Sequence, residues 1–183
     1  MPKGDGSQVP EVGGSQVPEV GGSQRRVTEA GFREAAGHFA TGVVVITGRD
    51  DEGPVGFTAQ SFTSVSLDPP LISICPGLDV ASWARMAPRK RFCVNVLADD
   101  QEAVSRTFAT KDADKFDGIG YDDSACEAGP VIDGGLAWFS CRVVEEHVAG
   151  DHRIVVAQVD ELGLGEKRRP LIFFRGGYAG IAP

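Results

Sequence analysis

From Gly56 to Pro76 the chain reads GFTAQSFTSVSLDPPLISICP, with Thr58, Ser61, Thr63, Ser64 and Ser66 set among Phe57, Phe62, Val65 and Leu67. Extended backbone sends successive side chains to opposite faces, so this pattern predicts a strand with hydroxyls on one side and apolar groups on the other. Such a surface can hold a flat, polar ligand. Pro69-Pro70 stops any helix and leads into PLISIC, an apolar run suited to a buried strand. Together GVVVITG, PVGFTAQSFTSVS and PLISIC predict three successive strands rich in β-branched residues. RFCVNVL, LAWFSCRVVEE, HRIVVAQVDEL and PLIFFR predict further strands toward the C-terminus.

Helical periodicity is sparse. Thr28 is placed to N-cap a helix in which Phe32, Ala35, Ala36 and Phe39 form one apolar stripe, weakened by Gly37 and ended by Gly42. A second helix is predicted over Asp79 to Met86, capped by Asp79, and a third over Asp99 to Ala109, with Glu102 three residues after Asp99 in a capping-box spacing. Few helices among many alternating strands favour a Greek-key antiparallel barrel over a βαβ array. The fold class is therefore mainly β with a few short flanking helices.

Residues 7–14 and 15–22 are the same unit, SQVPEVGG, twice over. Such a segment cannot bury enough surface to offset its ordering entropy, so residues 1–24 are expected to be a low-complexity flexible tail and 25–183 one domain. Acidic residues outnumber basic ones 26 to 18, for a formal charge of −8. That balance argues against nucleic acid as a partner. Apolar runs are far shorter than a membrane span and no signal-peptide core follows Met1, so a cytoplasmic location away from membranes is expected.

Cys75, Cys93, Cys126 and Cys141 form no CxxC pair, so free thiols are expected and no metal site is signalled. No GxGxxG follows a strand, and neither a P-loop, an HExxH helix nor a GxSxG elbow occurs. Lys167-Arg168-Arg169 reads as a solvated hairpin tip.

The motifs GHFATGV (37–43), GFTAQSF (56–62), SVSLDPPL (64–71), FCVNVL (92–97), GDH (150–152) and PLIFFRGGY (170–178), in this order, resemble the flavin reductase-like family. Its members are NAD(P)H:flavin oxidoreductases serving as small components of two-component flavin monooxygenases. The resemblance implies a split β-barrel of the FMN-binding type, assembled as a homodimer and binding FAD or FMN, with NADH rather than NADPH as reductant. It implies that Phe57, Thr58, Ala59, Gln60 and Ser61 edge the isoalloxazine. Cys75, Pro76, Ser82 and Trp83 would face the ribityl chain and phosphate, Ser82 ahead of Trp83, while Asn95 and Tyr178 complete the cofactor set. Arg89, Lys90 and Arg91 add positive charge nearby or form a solvated basic turn.

His152, in the GDH motif, would border the nicotinamide and be the catalytic residue, orienting the reactants for hydride transfer. Its alternative reading is a strand-start histidine bonded to Asp151. Tyr178 either closes over the cofactors or fills the barrel rim. The implied function is reduction of flavin for a separate, diffusively coupled monooxygenase. A pyridoxamine-oxidase-like flavin oxidase and a flavin-binding module without turnover are the rivals.

Overall fold

A computed structural model describes residues 26–111 and 114–181; both SQVPEVGG units and the expected boundary at residue 24 lie outside them. In chain order the elements are α1 (Glu29–Ala36), β1 (Thr41–Gly42), β2 (Val44–Arg49), β3 (Pro54–Ala59), β4 (Thr63–Leu67), β5 (Pro70–Ile74), α2 (Ala81–Met86), a 3₁₀ turn (Ala87–Arg89), β6 (Arg91–Val96) and α3 (Glu102–Ala109). Then follow β7 (Tyr121–Asp122), β8 (Val131–Ile132), β9 (Ala137–Ala149), β10 (His152–Leu164), β11 (Ile172–Phe174) and β12 (Gly177–Ala179). The described residues are thus mainly β with three short α-helices. None of these helices is long and apolar enough to cross a membrane.

Seven strands form one sheet in the order β3-β2-β6-β9-β10-β5-β4. Every neighbouring pair in it is antiparallel, as the alternation predicts. The predicted strand PVGFTAQSFTSVS is in fact two: β3 lies on one edge of the sheet and β4 on the other. Only residues 60–62 join them. A link that short spans roughly 10 Å when extended, so the sheet curls until its edges approach one another. Ser61 Oγ accepts the Cys75 N–H at 2.8 Å and Thr41 Oγ1 donates to Gln60 Oε1 at 3.4 Å, which ties the link to the end of β5 and to β1.

The curled sheet has apolar side chains on both faces, because successive residues from Val43 into β2 feed different clusters. Val44 and Ile46 join Phe57, Ile74, Trp83, Phe92 and Val155 in the larger core. Val43 and Val45 join Leu97, Phe108, Ile132 and Leu171 in a second. Each large side chain so buried contributes about 1.5–3 kcal/mol.

The helices depart from their expected caps. Thr28 does cap α1, its Oγ1 accepting the Gly31 N–H at 3.1 Å. α2 starts two residues late, after Val80 and without a side-chain cap, because the Asp79 carboxylate pairs with Lys111 instead at 3.1 Å. α3 starts at Glu102 after Gln101, so Asp99 caps nothing and Glu102 bonds Arg106. The apolar stripe of α1 buries nothing among the described residues; Phe32 is 68% and Phe39 77% exposed. The run 167–169 is more than a solvated tip: Arg168 pairs with Asp100 and donates to the Gly134 carbonyl.

Candidate functional site: a cleft beside an edge strand

α2 and α3 both lean on β3, and between them the surface opens into a cleft of about 860 Å³. That falls within the range typical of small-molecule sites. Its floor is Gly56, Phe57 and Thr58, and Ser82 stands on its wall. Gly56 has no room for a side chain, since a Cβ there would lie 2.7 Å from the Phe108 ring and 2.9 Å from the Ile46 carbonyl. The floor is flat because α3 presses on it.

The lysine missing from the expected set is Lys115. Its Nζ donates to the carbonyls of Gly56 and Phe108, both at 3.1 Å, and reaches Ser82 Oγ at 3.5 Å. It sits in DADKFDG, a stretch without strand or helix periodicity, so no pattern rule points to it. The one signal is Phe116, whose ring packs edge-on against Phe108 at 5.0 Å and fixes the preceding residue over the floor. Arg89, Lys90 and Arg91, the cations expected nearby, do not line the cleft; Arg89 pairs with Asp51 and Arg91 with Glu127. Arg85 does line it, tied at 2.5 Å to Asp50 and at 3.2 Å to Glu52.

Beside the cleft lies a second group. Gly150, at a φ of 63°, makes the tight turn between β9 and β10 that a side chain would strain, and this puts His152 at the head of β10. The turn is stitched to residues 76–78: Leu78 N donates to the Asp151 carbonyl and Arg153 N to the Pro76 carbonyl, both at 2.9 Å. His152 Nδ1 is 2.8 Å from Asp151 Oδ1, and its backbone bridges Gly77. The Asp151 carboxyl is held below the usual carboxylate range, first by this hydrogen bond. Asp79 joins the two groups, since it lines the cleft while its carboxyl is lowered chiefly by the Lys111 ammonium and further by the His152 imidazole.

Of the expected residues, then, Phe57, Thr58 and Ser82 line one cleft. Ser61, Cys75, Pro76 and His152 gather at its neighbouring corner, and Ala59 and Gln60 lead from one to the other. The Thr58 hydroxyl is turned inward, donating to the Ser105 carbonyl at 2.6 Å, so only its backbone is left for a ligand.

Three further expected residues stand apart from the cleft. Trp83 is a core residue, packed edge-on against Phe57 and Phe92, with Nε1 donating to Glu146 at 3.4 Å. Asn95 is buried and fully engaged: its Nδ2 donates to the carbonyl of Val45 and to Thr47 Oγ1, and its Oδ1 accepts the Ile132 N–H at 2.9 Å. It does not line the cleft. Tyr178 lies outside the cleft, its hydroxyl 2.8 Å from Ser105 Oγ and its ring under the Arg106 guanidinium. It reaches the floor only through α3.

A cleft with a flat apolar floor, backbone polar groups along its edge, and a hydroxyl and an ammonium together at one wall suits an aromatic ligand carrying an anionic tail. The profile of the flavin reductase like domain matches residues 36–182, and the chain belongs to that family. It is 45% identical over 154 residues to the reductase subunit HsaB of a flavin-dependent monooxygenase from Mycobacterium tuberculosis, covering 83% of this chain and 82% of the relative. Nitrilotriacetate monooxygenase component B from Mycobacterium thermoresistibile superposes with a TM-score of 0.80 at 44% identity, covering 84% of this chain and 87% of that one. The NADH:FAD oxidoreductase SgcE6 of Streptomyces globisporus, solved with NAD and FAD fragments, gives 0.79 at 36% identity, over 84% and 93%. The chain is an NAD(P)H:flavin oxidoreductase.

Proposed function

We propose that this chain is the NADH-dependent reductase component of a two-component monooxygenase, reducing FAD or FMN and releasing it to a separate oxygenase. The observation that carries this reading is the meeting of Phe57, Ser82 and Lys115 in one cleft, with His152 stitched to its rim. Flavin supplies the chemistry, accepting a hydride directly from the nicotinamide. Lys115 and Ser82 hold the phosphate, a charge-assisted contact of the kind that outweighs neutral ones. The backbone of residues 57–61 edges the ring system. Asp151 fixes the His152 ring, which orients the nicotinamide and balances charge without taking the hydride. No protein nucleophile is needed.

We also propose a split β-barrel, which the curling of the sheet supports, assembled as a two-fold homodimer in the cytoplasm. Phe32 on α1, Phe39 just beyond its end and Val148 on the β9–β10 hairpin are large apolar groups that a monomer leaves in water. The test is direct. The protein is mixed with FAD or FMN and with NADH or NADPH, and loss of the reduced-nicotinamide absorbance is followed. Flavin-dependent oxidation faster with NADH is expected; no flavin-dependent loss with either nucleotide overturns the reading.

A further inference from the structure

The cleft does not end where Lys115 meets Ser82. β3 runs along its floor, and Lys115 sits over Gly56, with Nζ 3.1 Å from that carbonyl. Thr58 lies toward the 60–62 link and the His152 corner, while Val55 and Pro54 carry the lining the other way. Two residues of extended strand take the floor about 7 Å beyond Gly56.

Arg85 and Tyr121 wall this far end. Arg85 follows Ser82 by about one turn of α2 and joins Asp50 at 2.5 Å and Glu52 at 3.2 Å, both in the turn that leads into Pro54. Arg49, which pairs with Pro54 across the sheet, also pairs with Asp123, and so brings Tyr121 to the same end. Phe108, Phe116 and Tyr121 pack edge-on in series, with ring centroids 5.0 and 5.1 Å apart, and all three line the cleft. Aromatic rings thus lead from the floor outward, where Tyr121 keeps 36% of its surface exposed.

The charges follow the same line. Asp79 is paired with Lys111 and Glu52 with Arg85, so neither carboxylate opposes an anion unscreened. Arg85 uses Nε on Asp50 and an Nη2 hydrogen on Glu52; a guanidinium has five N–H donors, which leaves it able to hold an anion as well. One cation midway along the cleft, a second further out and an exposed aromatic ring beyond match a diphosphate that ends in a flat base. A single phosphate would stop at Lys115 and leave the far end unused.

We propose that this far end is an adenylate subsite, in which Arg85 holds the second phosphate of a dinucleotide flavin and Tyr121 stacks on its adenine, so that the chain selects FAD over FMN. The subsite rests on the flavin reading of the cleft and deepens it. Arg85 and Tyr121 act on specificity alone, since they meet a part of the ligand that FMN lacks.

The experiment titrates FAD and FMN separately by calorimetry into wild-type protein, Arg85→Gln and Tyr121→Ala. Wild type should bind FAD about tenfold or more tighter than FMN. Each variant should weaken FAD about five- to tenfold and leave FMN within about twofold, and the retained FMN binding shows that the cleft is folded. The substitutions lie on separate elements, β7 and α2, so either decides the matter should the other variant not fold. Equal wild-type affinity for the two flavins, or a loss in the variants shared equally by both, overturns the subsite. So does an unchanged FAD-to-FMN ratio with a raised KM for NADH, which would give the far end to the nicotinamide dinucleotide. Wild-type protein that binds neither flavin overturns the flavin reading itself.

Discussion

Lys115 draws together β3, α2 and α3 with one ammonium, so it supports the cleft floor as well as offering charge to a ligand. Replacing it with Met should raise the flavin Kd about tenfold, with Lys115→Arg recovering part of the loss; unchanged binding by flavin fluorescence would remove it from the site. His152→Ala should leave flavin Kd unchanged while kcat/KM for NADH falls about tenfold, or about 1.4 kcal/mol in transition-state stabilisation. Wild-type NADH kinetics would restore the plain reading of a histidine bonded to Asp151. Asn95 belongs to stability. Asn95→Leu removes the partner of the buried Ile132 N–H and one donor to the Val45 carbonyl, and should cost about 2–3 kcal/mol by urea denaturation. The sequence did mark where to look: Ser82 lines the cleft and His152 stands beside it. The burial of Asn95 was not legible, because an apolar strand covered on both faces does not reveal which way a polar side chain turns, and the periodicity of the short helix α2 left Trp83 open between core and cleft. Lys115 was invisible, since a loop lysine gains its meaning only from the carbonyls that the fold brings to it.

Hydrophobic alternation located every strand of the seven-stranded sheet but not the short β7, β8 and β12, and Pro70 does open β5 as PLISIC suggests. It could not show that PVGFTAQSFTSVS breaks at residues 60–62, because both halves keep strand periodicity and the break is a matter of which neighbours each half finds. The stripe of α1 was legible as well, but not what covers it. Where the sheet meets the helices, tolerance is low. Gly56→Val forces a branched side chain into Phe108 and the Ile46 carbonyl and should cost about 1–3 kcal/mol. Flavin affinity should fall with it, as α3 is pushed off the floor; unaltered stability and binding would show that α3 yields freely.

The assembled molecule carries two further expectations. Light scattering at high protein concentration should report a dimer, and Phe32→Glu with Phe39→Glu should shift it toward monomer without unfolding the sheet. A wild-type monomer under those conditions would contradict the proposed assembly. Deleting residues 1–24 should leave reductase rate and Tm nearly unchanged, because that composition lacks core-forming side chains. A marked loss of either would assign the repeats a role.

The strand order also sets a timetable. Apart from β4, its own hairpin partner, β5 pairs only with β10, where Ile74 faces Val155 and Leu71 faces Gln158. The β4–β5 hairpin must therefore wait through synthesis of half the protein, and a lone hairpin is barely stable in water. Contacts this distant along the chain give high contact order and refolding in about milliseconds to seconds. Ribosome-stalled chains ending before Asp151 should remain protease-sensitive from β4 onward, with protection arriving once residues through Leu164 have emerged. Early protection of the hairpin would mean that something other than β10 holds it first.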